Sequence, residues 1–319
     1  MPKGMILAAG RGTRLGPLTQ ETPKPLLPVA NLPVMARGIT HLRQVGITEV
    51  CANVSYHGEE IMAFFGDGAA YGVQMHWLQE QTLTGTAGGL KGMEPFLAGD
   101  EVIVIAGDAM LDVDLTPLLA AHRANGAFAT LATLRVADPA QYGVVVTDDA
   151  HRVVSFQEKP EPGTEISHDA NTGIYIFDPG IFALIPSGTE FDFARNVFPE
   201  ILRQRLPFYA LPVQGYWTDI GNPGDYLQAN LNYLDGRIRV EGRGDRVGSN
   251  LLDAGAVVAG AHLTRTTVGA RAVLAPGTTL HECVVWPDVV IPAPLTAVSA
   301  VFTPWGAYTV NGLETREIE

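Results

Sequence analysis

Cysteine is nearly absent: the 319 residues contain two, Cys51 and Cys283. Two are too few for a disulfide framework or a cysteine-rich zinc site, and they fit buried thiols in a reducing compartment. No apolar run approaches the roughly 20 residues of a membrane-crossing helix. The apolar run near the first residue is shorter than the roughly 7–15 residues of a secretory leader, so a cytoplasmic location is expected. Positive charge is also short. Against 34 Asp and Glu stand 21 Lys and Arg, a net charge of −13, which disfavours nucleic acid and anionic membrane as partners. Lysine is the scarcest cation, at positions 3, 24, 91 and 159 only. A chain that uses arginine almost everywhere keeps lysine where a compact ammonium is needed. The histidines show no metal-ligand spacing, so no zinc site is assigned. Apolar material is plentiful, 46% of the residues against 17% charged. That excludes a disordered chain, and the length suits one large domain and a smaller one.

Up to about residue 235 short apolar runs alternate with amphipathic stretches. Residues 4–8, 49–53, 73–78 and 102–106 read as buried strands, and 35–45, 59–65, 87–96 and 115–124 as helices between them. The alternation predicts βαβ units, hence a mostly parallel sheet with helices on both faces. Strands at 127–135, 143–147, 153–156 and 173–177 with fewer helices predict an antiparallel extension, and 193–203 and 225–234 close the domain as helices. After about residue 238 the texture changes. Aliphatic residues recur at Val257, Leu263, Val268, Leu274, Leu280, Val285 and Ile291, at spacings of six, five, six, six, five and six. A period near six with small residues between predicts a parallel β-helix of degenerate hexapeptide turns; an ordinary small β-domain is the alternative. Pro292, Pro294 and Pro304 are expected to end the coil, with Phe302, Trp305 and Tyr308 covering its end. The expected domains are 1–238 and 239–319.

The first strand runs into Leu7-Ala8-Ala9-Gly10-Arg11-Gly12-Thr13-Arg14. A glycine turn after a first strand lets backbone N–H groups approach an anion closely, although a tight turn without ligand reads the same way. A dinucleotide fingerprint fails, because Leu15 holds the third glycine position and Asn53, not an acid, ends the second strand. A P-loop fails for want of a Gly-Lys-Ser/Thr run. The turn carries cations at intervals instead: Arg11, Arg14 and then Lys24, the last held between Pro23 and Pro25, which stiffen the segment.

The run from Leu7 through Gly10-x-Gly12-Thr13-Arg14 to Pro23-Lys24-Pro25-Leu26 resembles the signature of the sugar-1-phosphate nucleotidylyltransferases. The resemblance continues in order to residue 235. It passes through Gln79-Glu80, Gly85-Thr86-Ala87-Gly88, Gly107-Asp108, Tyr142-Gly143, Glu158-Lys159-Pro160, Asn171-Thr172-Gly173 and Trp217-Thr218-Asp219-Ile220-Gly221. The 171–175, 191–199 and 215–221 segments are most similar to mannose-1-phosphate guanylyltransferases that carry a β-helix tail, left-handed in such tails. Thymidylyl- and uridylyltransferases acting on glucose 1-phosphate share most of the motifs.

The resemblance implies transfer of a nucleotidyl group from a nucleoside triphosphate to a sugar 1-phosphate. The nucleophile is already a phosphate oxygen, so the protein must align two polyanions and offset charge rather than supply a base. The implied catalytic set is Arg14, Lys24, Asp108, Lys159 and Asp219. Leu7, Ala8, Ala9, Gly10, Gly12, Thr13, Arg14, Lys24, Gln79, Gly85, Thr86 and Asp108 take the nucleotide, with Gln79, Gly85 and Thr86 at the base. Gly143, Glu158, Lys159, Asn171 and Gly173 take the sugar phosphate, and Asp108 and Asp219 hold Mg²⁺, a hard cation that suits few carboxylates. Ala109 and Thr84 depart from the family pattern: a polar residue is frequent at the first position, and an aliphatic one often precedes Gly-Thr-Ala-Gly at the second. Asp112-x-Asp114 is a metal motif in some glycosyltransferases, but Asp114 before Leu115-Thr116-Pro117 reads as a helix cap. A non-catalytic relative is the other alternative; against it, every catalytic position is filled. The tail lies outside the chemistry motifs, so it is expected to serve stability and assembly, most simply in a homodimer.

Overall fold

The computed structural model describes residues 1–318. The chain packs as two compact units, one of Met1–Gly10, Met35–Ala109 and Val113–Trp217, the other of Arg11–Val34, Met110–Asp112 and Thr218–Glu319. The segment carrying Arg14 and Lys24, and the one carrying Asp219, group with the tail.

The first unit is built on strands Lys3–Leu7 (β1), Glu49–Val54 (β2), Gln74–Gln79 (β3) and Val102–Ala106 (β4). β1 pairs in parallel with both β2 and β4, and β2 with β3. The near-continuous apolar runs of β1 and β4 follow from burial on both faces, which parallel sheets require. Helices Val34–Gln44 (α1) and Gly58–Phe65 (α2) make two of the crossovers. On α1, Gly38 faces Ile6 and Ile105. Helices Gly85–Gly92 (α3) and Glu94–Leu97 (α4) precede β4. The single helix expected over 87–96 divides at Met93 because Pro95 opens a new first turn. A strand that the apolar pattern does not show, Ala109–Val113 (β5), leads to helix Thr116–Ala124 (α5).

The expected antiparallel extension is present. Strands Ala129–Arg135 (β6), Gly143–Thr147 (β7), Val153–Glu158 (β8) and Asp169–Phe177 (β9) place β9 antiparallel to β4, β6 and β7. Strand Phe208–Pro212 (β10), also not expected, adds in parallel beside β6. The sheet order is β8-β7-β9-β4-β1-β2-β3. The expected 193–203 helix is a π turn, Phe193–Val197, followed by Phe198–Gln204 (α6), with Asp192 accepting from the N–H groups of Ala194 and Arg195.

Strand Gly215–Asp219 (β11), which enters the second unit at Thr218, delivers the chain to helix Pro223–Leu234 (α7), and the tail follows. Its short strands pair in parallel between residues 17 apart: Leu263 with Leu280, Val268 with Val285, Leu274 with Ile291. One coil is thus 6 + 5 + 6 residues, the spacing of the aliphatic residues. Val257 is the exception; it pairs with Val273 but is 50% exposed. Coil corners repeat at the same interval in left-handed backbone, at Arg265, Glu282 and Ser299 and at Arg271 and Asp288. Stacked side chains occupy those corners, Arg265 on Glu282 and Arg271 on Asp288. Pro292 and Pro294 do not end the coil: Thr296–Val298 pairs with Thr279–His281, and the last coil runs to Thr303. After Pro304 the chain turns back antiparallel through Gly306–Asn311 and Glu314–Glu317. Phe302 is buried, while Trp305 is exposed.

Candidate active site

Strand order reverses at β1, where successive crossovers leave to opposite sides, and open α/β sheets bind ligands off the carboxyl ends of the strands at such a point. Leu7, which ends β1, is in register with Asn53 and Ala106. Beyond these residues lies a cavity of about 260 Å³ lined also by Ala9, Gly10, Glu80, Leu83, Gly85, Thr86 and Asp108. Ala8 N–H donates to Asn53, to the backbone oxygen at 3.1 Å and to Oδ1 at 3.2 Å. A Cβ at Gly10 would meet no protein atom within 4 Å, so packing within the protein does not demand glycine there. At Gly85 packing does: φ is +78°, and a Cβ would lie 2.5 Å from the Phe191 carbonyl oxygen.

Of the residues expected at the base, Gln79 is exposed and outside the cavity lining, and Thr86 lines it with its hydroxyl bonded to Asp192 Oδ2 at 2.7 Å. The side chain that closes this wall is Glu80, 9% exposed. Asn53 Nδ2 donates to Glu80 Oε1 at 2.6 Å, and the Thr84 N–H and hydroxyl donate to Oε2 at 2.9 and 2.7 Å. The sequence alone does not single out Asn53 or Asp192, and it offers Glu80 only beside Gln79 in the resemblance.

Residues expected at the sugar phosphate share the adjoining strands. Gly143 pairs with Glu158 across β7 and β8, and a Cβ there would stand 2.6 Å from the Phe156 ring and 2.9 Å from the Glu158 carboxylate. Partial burial raises the Glu158 carboxyl above its ordinary value, against the opposing pull of Lys159. Lys159 stands in left-handed backbone at φ 42°, its N–H bonded to the Tyr142 carbonyl. On β9, Asn171 donates to the Tyr175 hydroxyl and accepts from Gly173 N–H. Gly173 has φ +75°, and a Cβ would collide with Ala106 at 2.8 Å.

In the second unit, Gly12 (φ +64°) turns the chain into a 3₁₀ segment from Thr13 to Thr19, whose Thr19 hydroxyl closes back onto the Gly12 carbonyl. Lys24 is 5% exposed and its Nζ lies 2.9 Å from Asp219 Oδ1. Arg14 Nη2 is 3.3 Å from Asp219 Oδ2. The bare face of Gly221 admits this cluster: a Cβ would be 3.2 Å from Arg14 Nη1 and Asp219 Oδ2, and 3.3 Å from Asp225 Oδ2. Asp225, another residue the sequence does not single out, has its carboxyl raised by burial and by the charge of Asp219. Its legible signal is a capping pattern, since Asn222 caps α7 by accepting from Asp225 N–H. Asp114 caps α5 through Thr116 N–H, and Asp112 accepts from Arg239 N–H. Among the described residues no three His, Cys, Asp or Glu side chains gather closely enough to hold a metal ion alone. Asp108 lies in the first unit and Asp219 in the second.

The profile of the nucleotidyl transferase family matches residues 3–236. A UTP–glucose-1-phosphate uridylyltransferase of Synechocystis is 42% identical over 74% of this chain, and the match spans 64% of that protein. A mannose-1-phosphate guanylyltransferase of Mycobacterium tuberculosis is 37% identical over 91% of this chain and 81% of its own length. A Bacillus anthracis crystal structure assigned as a glucose-1-phosphate thymidylyltransferase superposes with a TM-score of 0.67 at 28% identity, covering 76% of this chain and 97% of that one. No helix among the described residues is long and apolar enough to cross a membrane. The chain belongs to the nucleotidyl transferase family, and these relatives are named as sugar-1-phosphate nucleotidylyltransferases.

Proposed function

We propose that this chain joins a sugar 1-phosphate to the α-phosphorus of a nucleoside triphosphate, with GTP and mannose 1-phosphate as the pair. A phosphate oxygen of the sugar 1-phosphate forms the new bond to phosphorus. The bond from the α-phosphorus to the β-bridging oxygen breaks, and pyrophosphate leaves with the electron pair. The observation that carries the reading is the cavity off the ends of β1, β2 and β4, where Asp108 and the open face of Gly10 stand beside Glu80, Leu83, Gly85 and Thr86.

The backbone at Leu7, Ala8, Ala9 and Gly10 takes the nucleotide's phosphate side, and Gly12 and Thr13 shape the turn that continues it. Lys24 and Arg14, now neutralised by Asp219, turn their charge to the triphosphate and the leaving pyrophosphate. Lys159 takes the phosphate of the sugar 1-phosphate, and Glu158 accepts from sugar hydroxyls, with Gly143, Asn171 and Gly173 shaping that pocket. Glu80 faces the base, in place of the exposed Gln79, and Gly85 and Thr86 form the adjoining edge. Asp108 and Asp219 would hold Mg²⁺, which would supply charge neutralisation at the phosphate oxygens.

The mannose and GTP choice is supported by the guanylyltransferase match, which extends over 91% of this chain and so includes tail residues. Glucose 1-phosphate with UTP is the second reading, favoured by the 42% identity of the uridylyltransferase. Exposed Val257, Val273, Val290 and Trp305 support the homodimer as part of the proposal. A panel of nucleoside triphosphates against sugar 1-phosphates, read by pyrophosphate release, tests the function. GTP with mannose 1-phosphate is expected to give the highest kcat/KM. A maximum at glucose 1-phosphate with UTP moves the assignment to the second reading, and no release from any pair rejects the reaction.

A further inference from the structure

We propose that Thr84 is a positioning residue for base selection: its hydroxyl occupies one carboxylate oxygen of Glu80, so that the other meets the base with a single open acceptor. The proposal rests on the functional reading in which Glu80 faces the base.

Thr84 stands at the N-cap of α3, where a threonine hydroxyl ordinarily accepts from a helix N–H; here it makes no such bond. The Phe191 carbonyl does that work, accepting from Ala87 N–H and Gly88 N–H at 3.0 Å each. The Thr84 hydroxyl is thereby released to donate to Glu80 Oε2 at 2.7 Å, beside the Thr84 N–H at 2.9 Å. On the other oxygen, Asn53 donates to Oε1, and Asn53 is itself fixed by Ala8 N–H.

Two helix glycines make room for this arrangement. A Cβ at Gly88 would lie 2.7 Å from Thr84 Cβ and 2.9 Å from its hydroxyl. A Cβ at Gly89 would lie 2.4 Å from Asn53 Nδ2 and 3.2 Å from Glu80 Oε1. Interior glycines weaken a helix relative to alanine, yet α3 carries both at the point where side chains would displace the network.

A carboxylate offers about four acceptor directions. Three are taken here, one by Asn53 and two by Thr84, and the remaining one is on Oε1. A base presenting a protonated ring nitrogen fills it: guanine through N1–H, uracil or thymine through N3–H. Adenine and cytosine present an unprotonated ring nitrogen at that place, lone pair against carboxylate. Without the Thr84 hydroxyl, Oε2 regains an acceptor and the carboxylate regains rotation, so exocyclic amino groups can be accepted and the discrimination shrinks.

The test compares kcat/KM for GTP, UTP, ATP and CTP, each with the best-used sugar 1-phosphate, in wild type, Thr84→Val, Thr84→Ser and Glu80→Gln. Thr84→Val keeps the shape and loses the donor. It is expected to cut the ratio of the preferred base over ATP and CTP about tenfold, through KM for the nucleotide and not for the sugar 1-phosphate; tenfold equals about 1.4 kcal/mol. Thr84→Ser is expected to restore the ratio. A Thr84→Val ratio within twofold of wild type, or a Thr84→Ser ratio as low as that of valine, overturns the proposal. If Glu80→Gln loses discrimination while Thr84→Val keeps it, Thr84 alone is misassigned. If Glu80→Gln keeps discrimination, the base-facing reading of Glu80 fails as well.

Discussion

Tyr226 joins the tail to the segment that carries Lys24, and removing one oxygen atom tests whether that join matters. The ring is fully buried on α7. Its hydroxyl donates to the Pro28 carbonyl at 2.7 Å and accepts from the Trp286 indole N–H at 2.8 Å. Trp286 belongs to the β-helix and is 3% exposed. Nearby, Asn31 reaches the Val268 carbonyl, and Asn230 accepts from Ala30 N–H. Tyr226→Phe keeps the packing and orphans two buried groups, the Pro28 carbonyl and the Trp286 N–H. Each orphan costs about 1–3 kcal/mol, so the variant should lose about 2–6 kcal/mol. At roughly 2–4 °C per kcal/mol for a large domain, the melting temperature should fall by roughly 5 °C or more. Because Pro28 follows Lys24 closely in the chain, KM for the nucleotide should rise several-fold while KM for the sugar 1-phosphate holds. Calorimetry and steady-state kinetics on the full-length protein read both. A variant melting within about 1 °C of wild type, against an expected fall of roughly 5 °C, would refute the reasoning.

Four further outcomes are expected. Chelation with excess EDTA should abolish turnover, and Asp108→Asn should lower kcat by about 100-fold, equal to about 2.7 kcal/mol; full activity in EDTA removes the metal assignment. Lys24→Ala should raise KM mainly for the nucleotide and Lys159→Ala mainly for the sugar 1-phosphate; equal damage to both constants by either change rejects the two roles. Glu158→Gln should lose sugar-phosphate use yet melt higher than wild type at pH 7. A carboxyl whose folded pKa is raised above the ordinary 4.5 opposes folding when ionised, fully above its folded pKa and not at all below 4.5. The melting advantage should therefore shrink as pH falls toward 4.5, and an advantage constant with pH counts against the burial. Finally, burial pushes the Cys283 thiol up to about 11 and Cys51 higher still. Neither should react with a thiol reagent at pH 8 until the protein is denatured, and rapid labelling of the native chain would contradict their burial.

Much of the fold was legible because its periods are local. The parallel strands declare themselves as short apolar runs, since both faces are covered. The tail spacings of six, five and six sum to the 17-residue coil, because one side chain per face must point inward in every turn. Strands β5 and β10 were not legible. Asp112 interrupts the apolar run of β5, and Pro212 at the end of β10 reads as a breaker until its position beside β6 is known.

The sequence by itself determined the sheet's parallel core, the glycine turn after β1, the rigid setting of Lys24 between prolines, and the repeat of the tail. Each follows from neighbours a few residues apart. Only the tertiary structure decided which of Gln79 and Glu80 lines the cavity. Successive residues at a strand end point to opposite sides, and the choice of side is made by Asn53 and Thr84 from other segments. It also decided that Thr84 serves Glu80 and not its own helix, because the carbonyl that relieves it of capping belongs to Phe191. Likewise it placed the Arg14 and Lys24 segment in one compact unit with the β-helix. Those outcomes depend on hydrogen-bond partners brought together by folding, and such partners leave no mark in the local pattern of residues.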